Sequence, residues 1–158
     1  MKKLRLLTII CLLVTMATAT GTAVPGQVAN ESIRDQFVGA WRLASLEEPD
    51  AQGSIHKADC TGLLVYTRDG HMSVQVMYRN AQGANGAAPV QYAQGGYEAS
   101  FGRYEVDDSH TFIFHVEGAL VRTLVGKDLK RVFELSGNQM LVKSPDPNEH
   151  WRVVWERY

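Results

Sequence analysis

The stretch "FVGAWRLASLEE", residues 37–48, begins an alternating strand with a Gly-x-Trp motif. A glycine here allows the sharp bend with which a closing sheet begins, and a tryptophan is large enough to fill one end of a barrel. A cation on the last strand can lie across the indole ring, because the first and last strands are neighbours in a closed barrel. The last segment offers Arg152 and Arg157 for this role. We expect Gly39, Trp41 and Arg157 to form the structural signature of the fold.

Strand-like runs separated by turns continue from this motif to the end of the chain. Asp69-Gly70 lies between two such runs and is a strong hairpin signal, since both residue types tolerate a positive φ. No connection reads as a long crossover helix, so neighbouring strands should be antiparallel. The predicted strands cover 39–48, 60–67, 71–79, 99–107, 111–120, 128–135, 138–144 and 150–158.

Eight antiparallel strands in nearest-neighbour order predict an all-β, eight-stranded up-and-down barrel. Closure removes the exposed sheet edges, which a two-layer sandwich, the competing architecture, would retain. A barrel of this size either fills its interior with side chains or holds one small ligand.

A leader is expected before the barrel. Residues 1–23 have a basic start, an apolar run over 6–16 and then small residues, which is the pattern of a cleaved signal peptide. The apolar run has about half of the roughly 20 residues that a membrane-spanning helix needs, which favours cleavage. The alternatives are a retained membrane anchor and a lipid attached to Cys11. We therefore predict a signal peptide at 1–23, a linker at 24–36 with a helical turn at its end, and a barrel domain at 37–158. The mature protein would be secreted or periplasmic, with no integral membrane span.

Charge and cysteine content restrict the partners. The leader contains three of the 16 basic residues and none of the 17 acids, so the remaining chain is acidic and argues against nucleic-acid binding. Cys60 is the only cysteine after the leader, which rules out an internal disulfide there. It is interpreted as a small buried apolar residue, with a nucleophile or an intermolecular bridge as alternatives.

Strand alternation predicts which side chains face the interior. The more apolar face of each strand is assigned inward, except on 60–67, where both faces are apolar and the choice is open. A cavity lined in this way suits an apolar or aromatic ligand oriented by one or two hydrogen bonds. The predicted ligand-binding residues are Tyr66, Met72, Val74, Val76, Tyr78, Tyr104, Phe112, Phe114, Arg131 and Trp151.

Three kinds of candidate residue carry a second interpretation. The tyrosines are either ligand contacts or core residues with their hydroxyls at the rim. Arg131 either binds a ligand carboxylate or pairs outside with Glu134 or Glu105. His115 is the candidate catalytic residue, as a general base in the cavity, or else a satisfied histidine elsewhere.

No motif predicts a metal or a cofactor. The five histidines are scattered without a His-x-x-x-His pair, and no phosphate-cradling loop or dinucleotide fingerprint is present. The longest irregular piece, 80–96, is predicted to act as a lid in which Tyr92 and Tyr97 close over the ligand.

Gly39-Ala40-Trp41 resembles the signature of the calycin superfamily, which contains the lipocalins. The ordered set "GAWRLAS", "GLLVYTRDGHMSVQVMY", "FGRYEVDD", "FHVEGAL" and "KRVFEL" is similar to the bacterial and fungal lipocalin-like domain family, over Phe37 to Tyr158. The resemblance implies a calycin barrel with a central cavity but no single activity. The segment "ALVRTLVGKDLKR" lacks the proline and asparagine that are common in the family at this place. Details that the family would imply for the turn between Leu120 and Asp128 are therefore not applied to this chain.

The function expected from these residues is binding of a small hydrophobic or aromatic molecule in the barrel. The alternative is a cyclase or isomerase that uses the same cavity for proton transfer, by analogy with barrel relatives in secondary metabolism. A third interpretation is a filled barrel that acts through its surface.

Overall fold

The computed structural model describes residues 32–50, 52–79 and 96–158. The predicted signal peptide, most of the predicted linker and the predicted lid with Tyr92 lie outside the described residues. Residues 32–37 are helical, which confirms the short turn expected before the first strand.

A single antiparallel sheet contains every strand that the structure describes. Its order is β2-β1-β3-β4-β5-β6-β7-β8-β9, and a further pairing of β1 with β9 closes it. The strands are β1 (Gly39–Pro49), β2 (Ile55–Lys57), β3 (Cys60–Tyr66), β4 (His71–Tyr78), β5 (Tyr97–Val106), β6 (Thr111–Ala119), β7 (Asp128–Ser136), β8 (Gln139–Lys143) and β9 (Arg152–Arg157).

Eight of these strands form the barrel, as the sequence predicted, and β2 is an addition. The segment after β1 was predicted as a loop, but Ile55–Lys57 pairs there with Glu47–Pro49. The reason lies in the length of β1: β3 pairs only with residues 39–42, so the last residues of β1 are left to pair with the returning chain. A 3₁₀ turn at Arg122–Leu124 connects β6 to β7.

The helical residues 32–37 seal the end of the barrel where β1 begins. Phe37 is fully buried, and its ring contacts those of Tyr66, Tyr104, Phe112 and Phe133, with centroids 4.9 to 5.9 Å apart. We call these five residues the floor cluster. Aromatic packing of this kind fills the interior at this end of the barrel.

The Gly-x-Trp motif holds this sealed end in place. Trp41 donates from Nε1 to the Phe37 carbonyl at 2.8 Å, and the Arg157 guanidinium lies over its indole, 4.2 Å from the ring centroid. Gly39 has φ +134°, and a Cβ on it would lie 2.8 Å from Arg157 Nη1. Of the two cations expected for this role, Arg157 takes it, whereas Arg152 pairs with Glu47 on the outside.

Candidate ligand cavity

A cavity lies inside the barrel, beyond the floor cluster. Its volume is about 80 Å³, counted as the space open to the centre of a water molecule. A single water needs roughly 10–15 Å³ by this measure, so the space suits several waters or one small molecule. Its described lining is Leu64, Tyr66, Met72, Val74, Val76, Glu98, Ser100, Phe112, Phe114, Leu124, Leu129, Arg131, Val142, Trp151, Val153 and Trp155.

The structure brings most of the predicted ligand-binding residues together around this cavity. The residues that line it are Tyr66, Met72, Val74, Val76, Phe112, Phe114, Arg131 and Trp151. Tyr104 is instead buried in the floor cluster and donates its hydroxyl to the Thr67 carbonyl at 3.2 Å. Tyr78 donates to the buried carboxylate of Glu48 at 2.5 Å and is not part of the described lining.

Strand alternation explains this convergence, and the structure resolves the strand left open. Leu64 and Tyr66 on β3 are buried, whereas Leu63 and Val65 on the other face are partly exposed. Gly62 shares the inward parity of Leu64, which gives β3 an apolar inner face that ends at the floor.

Two polar lining residues were absent from the sequence prediction. Glu98 and Ser100 on β5 are 8% and 3% exposed, and Ser100 Oγ donates to Glu98 Oε1 at 3.2 Å. Burial raises the Glu98 pKa to about 7, although the Ser100 hydrogen bond and the charge of Arg131 act to lower it. Strand alternation could have predicted them. Gly102 and Tyr104 were assigned to the inner face, and Ser100 and Glu98 lie two and four residues before Gly102 on the same face of the strand.

Arg131 takes the cavity-facing alternative. Its guanidinium carbon lies 5.2 Å from the centroid of the Trp151 ring, and Nη1 donates to the Lys130 carbonyl at 3.0 Å. The outer carboxylates that were the alternative partners have other neighbours: Glu134 pairs with Lys143, and Glu105 lies 3.6 Å from His115. The structure thus places a positive charge in the cavity wall.

The Tyr66 hydroxyl is buried at the boundary between cavity and floor. It has no hydrogen-bond partner among the described residues. Burial raises the pKa of Tyr66, the neighbouring Tyr104 adds to this, and the charge of Arg131 opposes it. A neutral hydroxyl with no partner is a donor that a ligand or a water would satisfy.

His115 lies on the outer face of β6, which matches the second of its two interpretations and not a general base in the cavity. Its Nδ1 is 2.7 Å from Asp128 Oδ1, so it is a satisfied histidine with carboxylate neighbours. The reason is strand alternation, which turns His115 away from Phe114 and Val116. Tyr97 is likewise external, with its hydroxyl 3.1 Å from Gln75 Oε1, and so cannot close over the cavity.

Cys60 begins β3 and is half-buried, without a disulfide partner. Burial, followed by the nearby charge of Glu48, raises the pKa of the thiol to about 11. A thiol with so small a thiolate fraction is a poor nucleophile. This favours the interpretation of Cys60 as a small apolar residue.

Within 32–50, 52–79 and 96–158, histidine, cysteine and acidic side chains nowhere cluster in the way that a metal ion requires. None of the helices in these ranges has the length and apolar character needed to span a membrane.

A closed antiparallel barrel with an internal cavity and an arginine over the tryptophan of the first strand defines a lipocalin-like protein. A model of the lipocalin-like domain family matches residues 38–158, and the chain belongs to that family. Among curated proteins, none matches the chain.

Solved structures with similar folds include two from Bacteroides. A lipocalin-like protein from Bacteroides uniformis is 13% identical, with a TM-score of 0.46 over 77% of this chain and 98% of its own. An uncharacterized protein from Bacteroides eggerthii is 15% identical, with a TM-score of 0.46 over 77% and 99%. A redesigned β-barrel is 9% identical, with a TM-score of 0.43 over 79% and 94%.

Proposed function

We propose that this protein binds a small hydrophobic or aromatic molecule in the barrel cavity. The observation that carries the proposal is the character of the lining. Aliphatic and aromatic side chains make up most of the described lining, and Glu98, Ser100, Arg131 and Tyr66 add polar groups to it. Binding sites for small molecules combine a mainly apolar wall with a few oriented polar groups in this way.

The partial filling of the barrel supports binding over a role of the surface alone. The floor cluster packs one end tightly, yet the space beyond it is left free, and one residue of its lining, Tyr66, has a buried hydroxyl without a partner among the described residues. Polar groups in a barrel that only needed to be stable would be satisfied or replaced by apolar ones.

Native mass spectrometry on protein purified from its own envelope fraction tests the proposal. A bound adduct of small-molecule mass is expected. Val74→Trp, on the cavity wall, should lose the adduct, while the matched control Met77→Trp, on the outer face of the same strand, should keep it. A bare chain in the wild type, repeated with added lipids and aromatic compounds, would contradict the proposal.

One observation favours a second candidate, an isomerase or cyclase. Glu98 is a buried carboxyl in the cavity wall, with a pKa near neutral and a cation nearby, which are properties of a general acid–base group. Such a group takes a proton from one substrate atom and returns it to another, so the step needs no co-reactant. His115, on the outside, has no part in it.

Deuterium incorporation distinguishes the two functions. Small molecules extracted from the envelope are incubated with the protein in D₂O and compared by mass. An enzyme would label one component, and Glu98→Gln would abolish the label while Glu105→Gln, on the outer face of β5, would not. A pure binding protein would give no label in any of the three.

We further propose that the mature protein is exported, either secreted or periplasmic. The support is the leader pattern at 1–23, outside the described residues. Intact mass of the protein from the envelope fraction tests this, since cleavage removes the leader and retention leaves the full chain.

A further inference from the structure

The cavity contains one negative and one positive side chain on different strands. Glu98 lies on β5 and Arg131 on β7, with β6 between them. They are the charged residues among the described lining. With both ionised, the charges of the wall cancel, although each remains a strong local hydrogen-bonding group.

Glu98 presents a buried acceptor. A carboxylate has lone pairs for about four hydrogen bonds, and among the described residues the donor to Glu98 is Ser100 Oγ. Because Glu98 is almost fully buried, the remaining acceptor capacity is directed to whatever occupies the cavity.

Tyr66 presents a buried donor. Its side chain is 1% exposed, lines the cavity and has a hydroxyl without a partner among the described residues. The positive charge of Arg131 acts on this hydroxyl. The wall of the cavity thus contains two hydrogen-bond donors, the Tyr66 hydroxyl and the Arg131 guanidinium, for an oxygen atom that accepts hydrogen bonds.

A fully charged ligand head does not match this arrangement. With Glu98 ionised, above its pKa of about 7, a carboxylate would be attracted by Arg131 and repelled by Glu98, and an ammonium group would meet the opposite pair of effects. In either case a charge would be removed from water with incomplete compensation, which is costly in a buried site.

We propose, on the basis of the binding function proposed above, that the cavity takes a small aromatic molecule with an uncharged polar head that donates to Glu98 and accepts from Tyr66 and Arg131. A primary aromatic amide is the simplest head with both properties. The small cavity volume fits a single ring with a short head better than a long-chain lipid.

Four probes of similar size test this inference: benzamide, benzoate, benzylamine and ethylbenzene. Affinities are measured by calorimetry or NMR titration at about pH 8, where Glu98 is ionised. Benzamide should bind roughly tenfold or more tightly than each of the others, the effect of one or two hydrogen bonds to charged groups.

Charge-removing variants should change the order of affinities in opposite directions. Glu98→Gln leaves a net positive cavity and should favour benzoate over benzylamine by about tenfold, whereas Arg131→Met should favour benzylamine. Matched controls on the outer faces of the same two strands, Glu105→Gln and Lys130→Met, should leave the order unchanged. Tyr66→Phe removes only the hydroxyl, so it tests the acceptor side even where Arg131→Met fails to fold.

The outcomes separate this inference from the function on which it rests. Equal binding of benzamide and ethylbenzene, or an order that Glu98→Gln and Tyr66→Phe do not change, would overturn the neutral-head proposal and leave ligand binding standing. No binding of any probe, together with an adduct in the native spectrum, would show that the head or ring class is wrong. No binding and a bare chain would reject both proposals.

Discussion

Trp41 and Arg157 are register partners across the seam between β1 and β9, and the guanidinium of one lies on the indole of the other. The same guanidinium donates to the backbone carbonyls of Val38 at 2.7 Å and Gln36 at 2.5 Å. One side chain therefore joins the last strand to the first strand and to the helical turn before it.

Replacing Arg157 should weaken the whole barrel. Arg157→Met removes the cation–π contact and leaves two carbonyls without their donor, so the free energy of unfolding should fall by about 2–3 kcal/mol. Urea unfolding measures this. Arg152→Met is the control, because that exposed pair with Glu47 is worth at most about 1 kcal/mol. Equal losses in the two variants would contradict the role given to Arg157.

Gly39→Ala should be destabilising for two separate reasons. The φ of +134° disfavours any side chain, and the new methyl group would lie against Arg157 Nη1. We expect a loss of about 2–3 kcal/mol in thermal or urea unfolding. Gly126→Ala separates the causes, since Gly126 also has a positive φ but nothing within 4 Å, and should lose only about 1 kcal/mol. A loss at Gly39 no larger than this would show that Arg157 simply moves aside.

Phe37→Ala should cost about 3–5 kcal/mol, because it empties the centre of the floor cluster. The matched control Phe101→Ala removes a ring that is 56% exposed on the outer face and should cost about 1 kcal/mol or less. Both values come from denaturant unfolding. A small loss for Phe37→Ala would mean that the helical turn is an accessory to the barrel and not its seal.

Glu98 should make the protein less stable as the pH rises. Its pKa is about 7 in the folded chain against an ordinary value of 4.5, so the folded state retains a proton that the unfolded state releases in this window. Stability should therefore decline between about pH 4.5 and pH 7, by about 3 kcal/mol in total, and remain low above. The measurement is unfolding free energy against pH for the wild type and Glu98→Gln, with Glu105→Gln as control. An unchanged pH slope in Glu98→Gln would show that the carboxyl is solvated.

The barrel and most of its inner face were predictable because period-two alternation is strong where one face is buried. Met72, Val76, Phe112 and Phe114 follow this pattern and line the cavity as expected. The resemblance to the lipocalin-like family pointed to the same fold, and the family match confirms it.

The polar part of the cavity was not predictable to the same degree. Glu98 was placed before the start of its strand, and an acid next to a glycine-rich stretch is typical of solvent-exposed positions. Its burial follows the alternation of Gly102 and Tyr104 once β5 extends back to Glu98, but that extension rests on pairing with Val76 of β4, a long-range contact that the local sequence does not reveal. His115 shows the reverse case, because the alternation already indicated that it faces outward.

The pairing of β1 with β9 also determines when the fold can form during synthesis. Trp41 is available early, but its cation comes from Arg157, so the seam stays open until that residue has left the ribosome. Until then β1 and β8 are unpaired edges, which are prone to associate with other chains. Joining residues so far apart in the chain costs conformational entropy of loop closure. We therefore expect the complete barrel to form slowly and late. The barrel therefore cannot close before β9, with Arg157, has been synthesised.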